Sequence, residues 1–390
     1  MRNNVLTRTR DQATPRLVLS ALLAGAMLVA QDAPLPSGSV NINLPADSPV
    51  TLLGSSTGES RATSRGAAVV LDLHMSLTLR NGSASRIHGV TLRVVSQEVT
   101  LGGKGSVSLP CLNVGPGEAF PVRIDMQLMR PTQVASGPLV EVNLDGVLFQ
   151  DLTFYGPDRL KSRRALTAIE MEAQRDREHF KRILAQAGPE GLKREMIACL
   201  ARQDARPQLQ VSVQRGGRAV TSAALAPEHV EQFAFVQLPD SPVTAINGWA
   251  QVAGNQARAP RIEVRNQSGR PVKYVELGWL VKDASGQQYL AASLPTPDPE
   301  LNLPSGQTAR VLQDSALEFS RRGQPVNIRS MTGFVSQVEF TDGKVWVPAR
   351  QSLEKALLLD VIAPSAEEQR LSELCRRKGI GALIEELKKF

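Results

Sequence analysis

Asp47-Ser48-Pro49-Val50-Thr51 returns as Asp240-Ser241-Pro242-Val243-Thr244, and the register between these two copies decides how the chain is read. Internal repeats are sought first, because a missed repeat misassigns the whole architecture. Beyond the pair, Arg80-Asn81-Gly82-Ser83 aligns with Arg265-Asn266-Gln267-Ser268 at an offset of 185. In the next strands Val90, Leu92 and Val94 align with Val275, Leu277 and Trp279. Leu112-Asn113 and Gly117 meet Leu301-Asn302 and Gly306 at 189. From Phe149 the offset settles at 191: Phe149, Asp151, Tyr155, Pro157 and Arg159 meet Phe340, Asp342, Trp346, Pro348 and Arg350. At the same offset Ala165-Leu166 meets Ala356-Leu357, Gly188 meets Gly379, and Leu192 meets Leu383. Drift confined to loops is what divergence from one ancestral unit produces. The sequence therefore predicts a tandem duplication, with units of roughly 160 residues, an ordinary domain size.

The chain has 390 residues, 42% of them apolar and 21% charged, which suits a globular protein with two cores. Aromatic residues make up only 4%, so large stacking surfaces are not expected. Residues 1–30 read as a signal peptide. Arg2, Arg8, Arg10 and Arg16 form a positive n-region, and Leu17 to Ala30 is an apolar h-region. Cleavage is expected after Ala30 or Ala26; the alternative is an uncleaved anchor, for which the apolar run is short. No later stretch can span a bilayer. Loss of the leader removes four Arg and one Asp, leaving 41 basic against 37 acidic residues. The formal charge thus falls from +7 to +4, and basicity alone gives no ground for a nucleic-acid partner. The expected location is secreted or periplasmic.

After a linker at 31–39, Val69 to Arg80 alternates. Val69, Leu71, Leu73, Met75, Leu77 and Leu79 share one face, and Val70, Asp72, His74, Ser76, Thr78 and Arg80 the other. Period-two alternation with one wet face marks an antiparallel strand. Asn81-Gly82 reads as a turn, Val90 to Val95 as the next strand, and Leu101 to Gly117 as loop-rich. Strands follow around Val122 to Leu128 and from Leu139 to Tyr155, the latter broken at Asp145-Gly146. Short strands between turn signals predict a β-sandwich over 40–156. The period then becomes helical. Pro157 opens a helix in which Leu166, Ile169, Ala173, Phe180 and Leu184 share a face, Gly188-Pro189 stops it, and a second helix runs over Glu190 to Ala201. The helical segment is thus 157–201. Residues 202–232 form a hairpin, with Gln208 to Val213 and Arg218 to Ser222 flanking Gly216-Gly217, and serve as a linker or as an edge strand for either sandwich. A second sandwich is predicted over 233–348, with a loop from Leu294 to Pro304 and a hairpin turn at Thr341-Asp342-Gly343-Lys344. A second helical segment, 349–390, opens at Pro348 and bends at Gly379. The fold class is mainly β with appended helices: two tandem antiparallel sandwiches, each followed by a helical hairpin.

The hairpin from Val338 to Trp346, with its Asp342-Gly343 turn, resembles the last hairpin of bacterial immunoglobulin-like or fibronectin-like exported domains. The resemblance covers that hairpin and the strand rhythm. It implies an Ig-like sandwich and a binding or structural role. The first unit departs from it, with Asp151-Leu152 in place of Asp-Gly, and the Cys…Trp…Cys core pattern is absent.

His74, His88, His179 and His229 lie at no metal-ligand spacing. Ser352-Leu353-Glu354-Lys355 matches Ser-x-x-Lys, in which Lys355 could activate Ser352, but the aligned positions of the first unit are Lys161 and Arg164. Gly54-Ser55-Ser56-Thr57-Gly58 lacks the helix that a nucleophile elbow needs and reads as a loop, as does Gly102-Gly103-Lys104-Gly105. Cys111, Cys199 and Cys375 read as free thiols, with a Cys199–Cys375 bridge as the alternative. The mixed charges of 159–182 read as a solvated face supported by pairs such as Glu178–Arg182, or as a contact for an anionic envelope surface. No catalytic, cofactor or metal residue is assigned. The expected function is non-catalytic binding or envelope scaffolding with a protein or cell-envelope partner; the alternative is an envelope hydrolase, or an accessory domain of one, using Ser352 and Lys355. Asp47 and Asp240 are expected to serve the same structural turn.

Overall fold

The computed structural model describes residues 32–35, 38–132, 137–205, 209–215, 228–295, 301–312 and 315–390. The predicted leader, 1–30, lies outside them.

The chain is mainly β, with several sheets and a few helices. The first part is organised about the strand Ala68–Asn81. Its alternation is realised in burial: Leu71, Leu73, Met75, Leu77 and Leu79 are at most 3% exposed, and the residues between them face solvent. Ala119–Pro131 pairs along one side of it, and Val50–Ser56 with Arg61–Arg65 share the other. Asp32–Pro34 adds to Arg61–Arg65. In the facing sheet Ile87–Val95 lies between Lys104–Leu109 and Val140–Phe149. Phe154–Tyr155 pairs antiparallel with Val140–Phe149, and Val40–Asn43 pairs with it in parallel. Leu71 to Leu79, Val90, Leu92, Val142 and Val147 form one core between the sheets.

The same order of pairings recurs further on. Gln256–Asn266 lies between Val243–Ala253 and the strands Thr308–Leu312 and Ser315–Arg321, with His229–Gln232 at the edge. Opposite it, Val272–Asp283 lies between Gln288–Pro295 and Ile328–Phe340. Val345–Trp346 pairs antiparallel with Ile328–Phe340, and Ala234–Phe235 in parallel. Trp279, 2% exposed, centres this second core, with the Phe233 ring 4.7 Å away and edge-on.

Several predicted boundaries move. The 31–39 linker contributes the strand Asp32–Pro34, and the strand expected at Gln208 to Val213 runs over Gln210–Arg215 and takes the edge position beside Ser315–Arg321. Edge strands need one neighbour's backbone and few apolar side chains, so they leave little periodicity. For that reason Lys104–Leu109 (Lys-Gly-Ser-Val-Ser-Leu) is a strand and not loop. The same holds for Val50–Ser56, which carries the Gly54-to-Ser56 string. The strand Gln288–Pro295 likewise runs into the loop predicted from Leu294. Arg218 to Ser222, the second arm of the predicted hairpin, lies outside the described residues.

Asn81 and Asn266 end their strands in the core, both fully buried, and neither has a positive φ. Asn81 Nδ2 donates to the carbonyls of Ser85 and Val114, and its Oδ1 accepts from the Ser83 amide and hydroxyl. Asn266 makes the matching set with Arg270, Leu303 and Ser268. The turn is thus templated by a buried amide and does not depend on the conformational tolerance of Asn-Gly. Asp145-Gly146 is a second correction. Val140–Phe149 runs through it without a turn, and Asp145 is the extra residue of a β-bulge between the pairs Thr91–Gly146 and Leu92–Leu144. The Thr341–Lys344 turn forms as predicted, with Gly343 at φ 79° and Asp342 accepting from the Lys344 amide. In the first part Leu152 takes the corresponding position at φ 65°.

Among the described residues there are three helical elements: α1, Ser162–Ala205; α2, Arg350–Lys355; and α3, Ala366–Leu387. Gly188 (φ 66°) and Gly379 (φ 82°) fold α1 and α3 back on themselves, where the sequence placed breaks. α1 starts later than Pro157. Its N-terminus is held by the bulge: the Asp145 carboxylate, 1% exposed, accepts from the Arg159 amide at 2.9 Å and the Ser162 hydroxyl at 3.0 Å. Asp158 accepts from the Arg163 amide. Asp158 therefore satisfies an amide of the first helical turn, and Asp145 ties down the amide and hydroxyl that lead into it, which a proline cannot do.

Candidate functional site

The buried chemistry of the chain collects where α1 meets α2 and α3. Phe180, Leu192, Met196 and Cys199 of α1 share one apolar cluster with Leu371, Leu383 and Leu387 of α3. Three of these pairs stand 191 positions apart: Phe180 with Leu371, Leu192 with Leu383, and Met196 with Leu387. α1 also touches the second set of sheets. Ala168 and Met171 pack on Val345 and Val347, the Arg164 guanidinium lies 3.5 Å from the Tyr274 ring centre, and Arg175 donates to the Pro348 carbonyl at 3.0 Å.

Two knots of charge accompany this cluster. Arg350, which opens α2 and is 4% exposed, lies 3.2 Å from carboxylate oxygens of Asp176, Glu195 and Glu368, and 3.4 Å from Glu354. In the second knot Arg177 pairs closely with Glu170 and at 3.3 Å with Glu367, its guanidinium 4.1 Å from the Phe390 ring centre. Arg370 joins Glu367 at 2.8 Å and Glu386 at 2.6 Å, and His88 Nδ1 lies 2.8 Å from Glu170 Oε1. Buried charges need paired partners, because desolvating an isolated ion is prohibitive. Here every buried carboxylate has at least one cationic neighbour. Burial pushes the Asp176 carboxyl up, but the Arg175 charge and its hydrogen bonds outweigh that and leave its pKa lowered. Burial acts likewise on Glu195, yet hydrogen bonds from His179 and Arg202 and the Arg202 charge hold it down at about 2. Asp176 and Glu195 are therefore charged at neutral pH and engaged in cross-links.

The residues singled out from sequence do not converge here. Ser352 is buried and Lys355 exposed. Of their first-unit counterparts, Arg164 stacks on Tyr274. Thr57-Gly58 forms a turn after the strand that holds Gly54, with the Gly58 amide on the Ser56 hydroxyl, and Gly102-Gly103 forms a turn closed by the Thr100 carbonyl. His74 lies exposed between Asp72 and Asp125, His179 beside Glu195, and His229 beside Glu231. Among the described residues no group of three or more His, Cys, Asp or Glu is placed to hold a metal ion. All three cysteines are free, so the bridge alternative does not form; Cys199 and Cys375 pack in the same apolar cluster. Burial pushes the Cys111 and Cys199 thiols up to about 12, away from a reactive thiolate. Among the described residues Glu178 and Arg182 do not pair; the α1 cations that pair do so mostly inward.

The repeated Asp-Ser-Pro-Val-Thr stretch makes the same turn twice. The Ser48 amide donates to Pro45 and the Ser241 amide to Leu238, and both hydroxyls close on the valine two residues later. The aspartates differ in detail: Asp47 accepts from the Tyr155 hydroxyl and Asp240 from the Ala349 amide, each at 2.9 Å. A shallow groove on the second part is lined by Asn247, Trp249, Arg261, Glu263 and Arg310. There Arg261 covers the Trp249 ring at 5.1 Å and Asn247 donates to Glu263 at 2.8 Å.

No protein-family model matches the chain, and no curated protein matches it significantly. Among solved structures it is similar to a putative ApaA protein from Bordetella pertussis, 11% identical over 37% of this chain and 91% of that one, with a TM-score of 0.18. It is similar also to a red sea bream transglutaminase, 6% identical over 74% of this chain and 31% of that one, with a TM-score of 0.13. A third similarity, to pT26-6p, is 8% identical over 87% of this chain and 72% of that one, with a TM-score of 0.15. Likenesses at this level inform neither the fold nor the function of the chain. Among the described residues no helix is long and apolar enough to cross a membrane.

Proposed function

We propose that this chain is an exported, non-catalytic protein, a tandem duplication of an Ig-like unit whose helices lock the two copies into one scaffold. Its role is then to present a fixed pair of sandwiches to a protein or cell-envelope partner. The observation that carries this reading is the seam. The buried charged groups form cross-links between the two halves, Arg350 to Asp176 and Glu195, and Arg177 to Glu367, where an enzyme would aim such groups into a cleft. The duplication is supported by the recurring pairing order, the matched Asn81 and Asn266 networks, and the bulges at Asp145 and Ser336, 191 apart. The Ig-like assignment is supported by largely antiparallel sheets facing one another across a shared core and by the buried Trp279 at the centre of the second core.

The test has two arms. Full-length protein is produced with a C-terminal tag, fractionated, and its N-terminus sequenced. Recovery from the envelope or medium with a new N-terminus near residue 27 or 31 is expected; intact Met1 in the cytosol overturns export. The purified protein is also treated with a fluorophosphonate serine probe. Labelling that vanishes in Ser352→Ala overturns the non-catalytic assignment.

A further inference from the structure

We propose that the folded-back end of the helical bundle, where Gly188 and Gly379 lie, docks on a surface of anionic phospholipid headgroups. The two tips are neighbours: Ile183 and Leu184, just before the first bend, and Cys375 and Ile380, flanking the second, pack on the same apolar cluster. The Lys193 charge acts across this seam on the Cys375 thiol.

The exposed residues here are mostly basic. Arg182, Lys193, Arg194, Arg376, Arg377 and Lys378 face solvent against Glu178, Glu190 and the half-buried Glu373. Arg376 and Arg377 share Glu373, while Arg182, Lys193, Arg194 and Lys378 have no carboxylate partner among the described residues. Uncompensated cations gathered on one end complement a negatively charged plane. The choice between lipid and nucleic acid rests on what lies among them. Ile197, 58% exposed, stands one turn after Lys193 and Arg194 on the same helix face. An exposed apolar side chain beside basic ones is the pattern of an interfacial helix. Single-stranded nucleic acid would instead ask for exposed aromatic platforms, and the aromatic residue of the cluster, Phe180, is fully buried. This inference goes beyond scaffolding, and it stands whether or not the export assignment does.

Sedimentation of the full chain with vesicles tests it. Binding is expected to be stronger to vesicles containing phosphatidylglycerol than to phosphatidylcholine alone, and to weaken with salt. Each Lys or Arg near such a surface contributes roughly fivefold. The triple variant Lys193→Gln, Arg194→Gln, Lys378→Gln should therefore lose about 100-fold of the phosphatidylglycerol-dependent affinity. All three residues are exposed, and an unchanged circular dichroism spectrum and melting temperature confirm folding. A control triple, Arg61→Gln, Arg65→Gln, Arg123→Gln, removes the same charge from the first sheet's outer face and should retain binding. The proposal is overturned by equal affinity for both vesicles, by an unaffected tip variant, by equal loss in the control, or by tighter binding to a duplex oligonucleotide than to the anionic vesicles.

Discussion

Replacing Arg350 with alanine removes one cation from among four carboxylates. Asp176 and Glu368 are 0% and 3% exposed, so neither can recover its solvation by turning outward. Breaking a buried ion pair by deleting one partner costs about 3–5 kcal/mol where the surviving charge stays buried without compensation, which here applies to Glu368, while Asp176 keeps Arg175. For domains of this size the melting temperature should fall by roughly 10 °C. The dependence on pH has a definite sign. In the native chain Glu195 is held at about 2, below its ordinary 4.5, so its contribution is complete above 4.5 and is lost as pH falls toward 2. Asp176 is lowered as well and acts in the same direction. In Arg350→Ala Asp176 loses one of the cations that lower its pKa and takes up its proton at higher pH, so the gap between variant and native protein should narrow from pH 7 to pH 5. Urea unfolding followed by tryptophan fluorescence at the two pH values measures both. A second change, Glu368→Gln, should recover part of the loss by removing a stranded charge. A cost under about 1 kcal/mol at pH 7, or a gap that widens on acidification, would refute the seam as a buried ionic lock.

Three further outcomes are expected. Asn266→Ala, or Asn81→Ala, removes four side-chain hydrogen bonds from a buried turn and should cost about 2–3 kcal/mol in equilibrium unfolding, whereas Gln267→Ala beside it should cost under about 0.5. Asp145→Ala loses the acceptor for the opening of α1 and should cost about 1–2 kcal/mol, with Asp145→Asn recovering part. Because burial holds their thiols near 12, Cys111 and Cys199 should react with a disulfide reagent at pH 8 far more slowly in the folded protein than in urea, and rapid native labelling of Cys199 would contradict its packing.

What could be read from the sequence was local. The alternation from Leu71 to Leu79 needs only a sheet with one wet face. Gly188 and Gly379 need only a backbone position at positive φ that side chains avoid. Asp342-Gly343 encodes its own turn. What escaped was set by distant partners. Asp145-Gly146 has the composition of a turn, yet the aspartate is present because a helix opening 17 residues later requires an acceptor. Lys104–Leu109 is strand because Ile87–Val95 offers it a backbone. The charges of α1 fit a solvated helix equally well, since spacing along one helix does not reveal that another lies against it. One signal was available: Asp176 with Glu367 and Glu195 with Glu386 stand 191 apart, so acidity recurs at matched positions. On the proposed duplication such matches are expected along the seam that the two units share.

The distance in sequence across that seam has a consequence for biosynthesis. The apolar stripe of α1 is finished only by Leu371, Leu383 and Leu387, near the end of the chain. At about 5–20 residues per second, Phe180 and Met196 emerge from the ribosome roughly 10–40 s before their partners exist. The first sandwich can close in that interval; its helix cannot. A stalled or truncated chain would therefore display an uncovered greasy helix beside a finished domain, a form well suited to capture by a holdase or removal by a protease.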